Sequence, residues 1–217
     1  MTNDPLKPSV LGVKLIPNVD DKMAEELNLP AGYKSIGIVT ADCDDVTYTA
    51  LDQATKMAEV TVVYGRSFYG GAANANTKLA GEVIGIIAGP TPAEVRSGLN
   101  AIVDFIENEA SFISANEDDS IAYYAHCVSR TGSYLSKTAG IEEGEALAYL
   151  IAPPIEAMYA LDAALKAADV TLKAFFGPPS ETNFGGGLLT GSQSACKAAC
   201  EAFADAVKFV AQNPTKY

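Results

Sequence analysis

An internal repeat constrains this chain more than any other feature of its sequence. Residues 50–61, ALDQATKMAEVT, align with residues 160–171, ALDAALKAADVT, and eight of the twelve positions are identical. Five of those identities are not alanine, so two alanine-rich helices do not account for them. A second pair of segments aligns as well, with Val95 and Leu99 opposite Cys196 and Cys200. The sequence therefore predicts two copies of one unit, a first domain over 1–109 and a second over 110–217.

The apolar pattern of each unit predicts both strands and helices, which indicates the α/β (α+β) fold class. Short apolar runs predict strands, and apolar residues at three- and four-residue spacing predict helices. The predicted strands are 34–40, 60–65, 82–89, 149–152 and 170–176. The predicted helices are 46–58, a helix that begins after Thr91, 155–168 and 194–211.

Two of these helices begin with capping signals. The segment Thr91-Pro92-Ala93-Glu94 is a capping box. In such a box Thr91 accepts a hydrogen bond from the N3 amide, Glu94 reaches back to the cap, and proline suits the first helical position. Ser192 takes the place of Thr91 in the second unit.

The charge and composition exclude several classes of function. The chain carries 15 basic and 27 acidic residues, a formal net charge of −12, and an anionic surface repels nucleic acids and acidic lipids. We therefore expect no nucleic-acid partner and no membrane partner. The first residues lack the basic and apolar regions of a signal peptide. The chain has one histidine, His126, which leaves no histidine cluster for a metal hydrolase or a catalytic triad.

Five long segments of the sequence are distinctive: ADCDDVTYTALDQATKMAEVTVVYGRSFYGGA, AGEVIGIIAGPTPAEVRSGLNAI, SRTGSYLSKTAGI, AYLIAPPIEAMYALDAALKAADV and PPSETNF with the following LTGSQSACKAAC. They resemble the bacterial microcompartment shell proteins of the ethanolamine-utilisation type, the EutL family. The resemblance runs through nearly the whole chain, from about Pro8 to Pro214.

The resemblance implies a pair of circularly permuted bacterial microcompartment (BMC) domains, each with a small ferredoxin-like antiparallel sheet and packed helices. It implies a homotrimer, a pseudohexameric tile that packs beside other shell proteins in a microcompartment shell in the cytoplasm. It also implies a gated pore on the threefold axis and ethanolamine as a small-molecule ligand. Cobalamin binding at the pore is a further possibility of the family. No cofactor is required and no enzymatic activity is expected.

Two adjacent acids precede the first repeated helix. Asp44 and Asp45 have Pro154 and Ile155 as counterparts in the second unit, so the fold does not require acids at these positions. Helix capping explains such acids without a ligand. A primary ammonium group, which has three donors, is a ligand that carboxylates suit.

Glu82 is a third acid of interest, and its approximate counterpart in the second unit, Asn183, is not acidic. A solvated surface carboxylate is the alternative explanation. The resemblance implies that Glu82 joins the two aspartates around ethanolamine. It also implies that Phe112, Thr182, Asn183 and Phe184 line that site, where an aromatic wall would exclude water and a backbone group would hold the ligand hydroxyl.

Two glycine-rich segments, 69–80 and 178–187, are candidates for the gate. Glycine permits wide backbone excursions, which switching loops need. The segments occur at the same place in both units, so a threefold trimer would gather six of them in a ring. The predicted pore-loop residues are Tyr69, Gly70, Gly71, Gly185, Gly186 and Gly187.

Three other features favour structural explanations over binding sites. The segment 129–133, SRTGS, could be mistaken for an anion-binding loop, but a single arginine in a turn is more often a hydrogen-bonding hub. Cys196 and Cys200 have a spacing that can hold zinc, but without further ligands they read as core residues. His126 and Cys127 are a weak hint of a metal or a catalytic thiol.

Two other classes of function stay open on the residues alone. An enzyme could use the acids as a base, although no histidine partner and no phosphate or metal motif accompanies them. A small-molecule sensor could also consist of repeated ferredoxin-like domains. A sensor should stay a discrete oligomer, whereas a shell tile should form two-dimensional sheets at high concentration.

Overall fold

The computed structural model describes residues 1–67, 79, 81–180 and 182–216. The strands within them are β1 (Pro5–Leu6), β2 (Val10–Ile16), β3 (Ser35–Ala41), β4 (Thr61–Ser67), β5 (Val83–Gly89), β6 (Phe112–Ser114), β7 (Ala122–Val128), β8 (Ala146–Ala152), β9 (Val170–Phe176) and β10 (Gly185–Gly191). The helices are α1 (Asp21–Glu26), α2 (Asp44–Met57), α3 (Pro92–Asp104), α4 (Ser133–Ala139), α5 (Pro154–Ala167) and α6 (Gln193–Gln212). A π-helical turn, Phe105–Glu109, continues α3.

The strands form two antiparallel sheets. One has four strands in the order β2-β3-β5-β4, and the other has six in the order β1-β6-β7-β8-β10-β9. The inner strands of both sheets are apolar because helices cover them, which matches the short apolar runs of the sequence. The predicted α/β fold class of two sheet-and-helix units is confirmed.

The repeat is visible as a repeated order of elements. The series β2-α1-β3-α2-β4-β5-α3 recurs as β7-α4-β8-α5-β9-β10-α6. Helices α2 and α5 each contain 14 residues, and strands β3 and β8 each contain seven. Counterparts in the two repeats can therefore be assigned by their position within each element.

The N-terminal strand crosses from one unit to the other. β1 pairs with β6, so Leu6 lies opposite Phe112 in the six-stranded sheet. The other strands of the first unit stay together in the four-stranded sheet. The boundary between 109 and 110 remains a prediction, and β1 is the element that would cross it.

One hydrophobic core connects the two repeats. It contains Val46 and Leu51 of α2, Ile102 of α3, Tyr124 of β7 and Leu147 of β8. A second core lies between the six-stranded sheet and helices α5 and α6. The predicted core positions Cys196 and Cys200 are buried in it. Within the described ranges, no helix combines the length and the apolar composition needed to cross a bilayer.

The helix caps follow the sequence signals in part. The Thr91 hydroxyl accepts from the Glu94 backbone N–H at 3.2 Å, and Ser192 accepts from Ala195 N–H at 3.2 Å, as predicted. The second half of the capping box is wrong. The Glu94 carboxylate accepts instead from the backbone N–H of Glu59 at 2.8 Å. This contact fixes α3 to the end of α2, and a tertiary donor thus replaces the local one.

The loop 129–133 does bind an anionic group, and that group is a carboxylate side chain of the protein itself. The Asp52 carboxylate, at the centre of α2, accepts from the N–H of Gly132 at 2.7 Å and of Leu135 at 2.8 Å. Asp52 is completely buried. The loop and the start of α4 are therefore held by an acid of the other repeat, which agrees with the predicted structural role of this loop.

Candidate functional site

The first turn of α2 contains two buried acids. The N-cap residue is Cys43, and Asp44 and Asp45 are the first helical residues, so the predicted capping role does not apply to their side chains. The backbone N–H of Asp45 donates to Asp44 Oδ1 at 2.9 Å. Ser67 Oγ donates to Asp44 Oδ2 at 2.6 Å and shares a 2.7 Å hydrogen bond with the Tyr48 hydroxyl.

Asp45 is bound by the other repeat. The Tyr149 hydroxyl, on β8, donates to Asp45 Oδ1 at 2.8 Å. Burial and then the negative charge of Asp45 raise the pKa of Tyr149, so the hydroxyl keeps its proton for this hydrogen bond. One acid of the pair therefore faces β4 of its own repeat, and the other faces the six-stranded sheet.

Burial makes both acids hard to ionise. It raises the pKa of Asp44 to about 6, although its hydrogen bonds from Ser67 and Asp45 act in the opposite direction. Burial, followed by the charge of Asp44, raises the pKa of Asp45 well above its usual range. Desolvation is the largest effect on both acids, and it disfavours the fully ionised pair.

The acid pair opens into a cavity of about 390 Å³ between the two repeats. A volume of this size suits a small molecule. The wall from the first repeat consists of Asp44, Asp45, Tyr48, Gly65, Arg66 and Ser67. The wall from the second repeat consists of Tyr134, Leu135, Thr138, Tyr149, Ile151, Phe176, Gly177, Ser180, Thr182 and Leu188.

Within the described part of the chain, neither acid forms an ion pair. Arg66 lines the cavity, but its guanidinium lies over the Tyr64 ring, 5.9 Å from the ring centre. Buried charges are normally paired or neutralised because desolvation is costly. The site therefore has the chemistry to accept a cation.

The structure brings only some of the predicted ligand residues to this cavity. Thr182 lines it together with the two aspartates. Glu82 is buried and does not line it, but the next residue, Val83, pairs with Ser67, whose hydroxyl binds Asp44. The Glu82 Oε2 atom has no hydrogen-bond partner within the described residues. Glu82 therefore lies at the same end of the four-stranded sheet as Asp44 and Asp45.

The predicted aromatic wall stands one layer behind the cavity. Phe112 is completely buried and stacks on Tyr124, with ring centres 5.5 Å apart. Tyr124 in turn meets Tyr149 edge to face at 5.6 Å. Phe184 packs on Phe112 at 6.0 Å. Phe112 and Phe184 thus support Tyr149 rather than lining the cavity, and Asn183 is exposed outside it.

The structure corrects half of the predicted pore loops. Gly185, Gly186 and Gly187 are not in a loop, because they begin strand β10. All three pair with β8, and Gly186 and Gly187 also pair with β9. Gly186 has φ +150°, and a Cβ there would collide with the carbonyl oxygen of Leu150. The glycines are thus explained by close packing of three strands. The other predicted pore residues, Tyr69, Gly70 and Gly71, lie outside the described residues.

The predictions missed several residues of the site, chiefly Tyr149, Ser67 and Tyr134. The repeat contained a signal for the first of them. Tyr149 is the fourth residue of β8, and its counterpart, the fourth residue of β3, is Ile38. A hydroxyl that replaces an apolar residue in a buried strand requires a hydrogen-bond partner, and here that partner is Asp45.

Cys196, Cys200 and His126 are the other features for which the sequence favours a structural explanation. Within the described ranges, no group of three histidine, cysteine, aspartate or glutamate residues is arranged to hold a metal ion. His126 is stacked against Tyr124 with ring centres 5.4 Å apart, and burial lowers its pKa to about 4. All four cysteines are free.

Comparison with known proteins gives concordant results. The family model of the BMC domain matches residues 35–117. The bacterial microcompartment shell protein EutL of Clostridium perfringens (strain 13 / Type A) is 73% identical over 214 residues, 99% of each chain. The crystal structure of the ethanolamine utilization protein EutL from Leptotrichia buccalis C-1013-b is 80% identical, covers 100% of both chains and has a TM-score of 0.95. A monoclinic crystal structure of EutL from Clostridium perfringens is 72% identical, covers 100% of this chain and 99% of the other, and also has a TM-score of 0.95.

Proposed function

The chain belongs to the EutL family of bacterial microcompartment shell proteins, and from this premise we propose that three copies form a tile with a gated central pore. We propose further that ethanolamine binds beside Asp44 and Asp45 and favours one state of the gate. As a member of this family the chain is a structural shell component and not an enzyme.

The buried acid pair is the observation that carries the ligand proposal. Its two carboxylates face a cavity between the repeats, and within the described residues neither has a cationic partner. A primary ammonium has three donors and no acceptor, and it forms charge-assisted hydrogen bonds with carboxylates. The repeat supports a dedicated role, because the counterparts Pro154 and Ile155 carry no charge.

The far wall of the cavity offers partners for the ligand hydroxyl. The hydroxyls of Ser180 and Thr182 both line the cavity. They lie 3.4 Å from each other, which is a long hydrogen bond, so each can turn toward a ligand. Glu82 is proposed as the third acid because its buried Oε2 has no hydrogen-bond partner among the described residues, and a nearby cation would stabilise it.

Binding of an ammonium group should release a proton. In the free pair, burial disfavours ionisation, since it raises the pKa of Asp44 to about 6 and the pKa of Asp45 well above its usual range. A cation beside the pair favours the fully ionised form and lowers both values. Affinity for ethanolamine should therefore rise with pH from 6 to 8, while the ligand itself stays protonated.

Isothermal titration calorimetry tests the site. We expect the measured enthalpy to depend on the ionisation enthalpy of the buffer, with release of up to one proton per ligand. Ethylamine, which keeps the ammonium, should bind more weakly, and the neutral ethylene glycol should not bind. Asp45→Asn should weaken binding at least about tenfold, the loss of one charge-assisted hydrogen bond, whereas Asp104→Asn, at the exposed end of α3 and outside the cavity, should leave it unchanged. Equal binding of ethylene glycol would refute recognition through the acids.

The gate and its coupling to the ligand are a separate proposal. A ligand shifts an equilibrium between open and closed states only by its difference in affinity for the two. Crystals of trimers in each state, soaked in ethanolamine at graded concentrations, would measure that difference. Equal occupancy in both states would remove the regulatory role and leave the shell function in place.

Cobalamin does not fit the cavity described here. A volume of about 390 Å³ lies near the lower end of the range for drug-sized ligands, and cobalamin is much larger than such molecules. We propose that any binding of cobalamin by this protein occurs between chains, at the proposed pore. Equilibrium dialysis of the intact oligomer against cobalamin would test for it.

A further inference from the structure

A second cavity adjoins the one that contains the acid pair, and the two share a wall residue. The cavity with the acids, which we call the inner cavity, has a volume of about 390 Å³. The second, which we call the outer cavity, has a volume of about 430 Å³. Both are lined by residues of β4 and α4. Among the described residues, Tyr134 is the one that lines both cavities.

The two cavities follow one another along β4, which is an edge strand of the four-stranded sheet. The outer cavity contacts the start of this strand, at Thr61 and Val62. The inner cavity contacts its end, at residues 65–67. The cavities are therefore successive parts of one groove between β4 and α4, and the side chain of Tyr134 stands between them.

Gly65 of β4 makes room for the Tyr134 ring. A Cβ atom at Gly65 would lie 2.8 Å from the Tyr134 hydroxyl oxygen, which is closer than such atoms can approach. On its other side the ring meets Tyr48 at a tilt, with ring centres 6.3 Å apart. The Tyr48 hydroxyl shares a hydrogen bond with Ser67, which in turn donates to Asp44. The ring is therefore part of the wall beside the acid pair.

The repeat shows that the strand itself does not require this glycine. Gly65 pairs with Gly85, the third residue of β5. The third residue of β10, Gly187, pairs with Phe175, which is therefore the counterpart of Gly65 in the second repeat. Phe175 is 53% exposed, so a strand at this place in the fold accepts a large side chain. The glycine in β4 is explained by the Tyr134 ring that packs on it.

The backbone that carries Tyr134 is fixed on both sides. Before it, the Ser133 N–H donates to the Thr55 hydroxyl at 3.1 Å. After it, the Leu135 N–H donates to the Asp52 carboxylate at 2.8 Å. A shift of the start of α4 would break both hydrogen bonds, and the one to the charged Asp52 is buried. The fold therefore holds the ring between the two cavities.

We propose that Tyr134 determines the longest amine that the inner cavity accepts. With the ammonium group beside Asp44 and Asp45, the ring stops the chain of the ligand from extending into the outer cavity. The outer cavity has room for such a chain, and its wall includes the apolar side chains of Val62 and Ile141. The inference rests on the proposed ammonium site and adds a specificity-determining residue to it.

A pair of amino alcohols tests the inference. Ethanolamine and hexanolamine carry the same ammonium and hydroxyl groups on a short and a long chain. Calorimetry would give the Kd of each for the wild type, Tyr134→Ala and Tyr134→Phe, and the readout is the ratio of the two Kd values. A general loss of binding would change both values and leave their ratio. Phe209→Ala is the control, because Phe209 is an exposed aromatic residue of α6 outside both cavities. Circular dichroism would verify that each variant is folded.

We expect the wild type to bind hexanolamine at least about tenfold more weakly than ethanolamine, since one excess methylene in a closed pocket already has an effect of this size. Tyr134→Ala joins the two cavities and should reduce the ratio of Kd values at least about tenfold. Tyr134→Phe keeps the ring, and Phe209→Ala does not touch the groove, so both should keep the wild-type ratio. Tyr134→Leu, a smaller truncation, replaces Tyr134→Ala if the alanine variant does not fold.

Gly65→Ala tests the position of the ring by a second route. The new Cβ would displace the Tyr134 hydroxyl, whereas its distance of 3.4 Å from the Tyr48 ring is an ordinary contact. Gly65→Ala should therefore change the ratio of Kd values at least about threefold when Tyr134 is present, and should have no effect in the Tyr134→Ala protein. Equal effects in the two backgrounds would contradict the packing of the ring on Gly65 as the basis of selectivity.

Three further results would overturn the inference. Equal Kd values for ethanolamine and hexanolamine in the wild type would show that the ring sets no limit on length. A selective wild type whose ratio Tyr134→Ala leaves unchanged would place the limit elsewhere in the inner cavity, with the ammonium site still in place. A wild type that binds neither amine would remove the proposed ammonium site and the inference together.

Discussion

Asp52 lies at the centre of α2 and holds the second repeat in place. Both carboxylate oxygens accept hydrogen bonds from backbone N–H groups, of Gly132 at 2.7 Å and of Leu135 at 2.8 Å. Lys56 Nζ lies 3.4 Å from the same carboxylate. The residues it orders include Leu135, which lines the cavity of the candidate site.

Asp52→Asn keeps the size of the side chain and removes one acceptor. The new amide group presents N–H toward a backbone N–H, so one buried donor loses its partner. A hydrogen bond to a charged group contributes about 1.5–3 kcal/mol, and a buried group left unsatisfied costs about 1–3 kcal/mol. We expect the free energy of unfolding to fall by about 2–4 kcal/mol. For a chain of this length that corresponds to a fall in Tm of about 5–15 °C.

An exposed aspartate on another helix provides the control. Asp104, at the end of α3, is exposed, and its Oδ1 accepts a hydrogen bond from the Asn108 side chain at 2.8 Å. Exposed contacts of this kind contribute little, so Asp104→Asn should change stability by less than about 0.5 kcal/mol. Urea unfolding of both variants at one fixed protein concentration would compare them, since association affects apparent stability. Equal losses for the two variants would refute the role assigned to Asp52.

Two further predictions concern the acid pair and the glycine-rich strand. Burial raises the pKa of Asp45 in the folded, ligand-free protein above its value in the unfolded chain. Protonation of Asp45 therefore contributes to stability below pH 4, and this contribution is lost as pH rises through the folded-state pKa. Asp45→Asn should therefore raise the Tm of the ligand-free protein at pH 8, with no gain at pH 4; a lower Tm at pH 8 would contradict it. Gly186→Ala should lower the free energy of unfolding by more than about 3 kcal/mol or abolish soluble expression, because its Cβ would collide with the Leu150 carbonyl oxygen. Gly140→Ala should lower the free energy of unfolding by only about 1 kcal/mol, because Gly140 has φ +62° but lies in open space. Urea midpoints and soluble yields would compare these two, and similar values for both would show that the close strand packing is unimportant.

The sequence alone determined the features that depend on neighbouring residues. The repeat, the strands β3, β4, β5, β8 and β9, the helices α2, α3, α5 and α6, and the caps at Thr91 and Ser192 follow from periodicity and short-range hydrogen bonding, which act within a few residues. The comparison of the repeats also singled out Asp44 and Asp45, since residues that a fold does not need stand out against their counterparts.

The tertiary structure decided which surfaces are covered and which polar groups meet. The same helix face is buried in α2 and exposed in α5, although five of the fourteen aligned positions, Asp52 and Asp162 among them, carry the same residue. Tyr149 meets Asp45 across a sequence separation of 104 residues, and no local pattern encodes that contact. Glu94 binds Glu59 for the same reason, and the glycines 185–187 serve strand packing rather than a loop. Burial, which sets the pKa values of the acid pair and the proposed affinity for a cation, arises only when distant elements pack together.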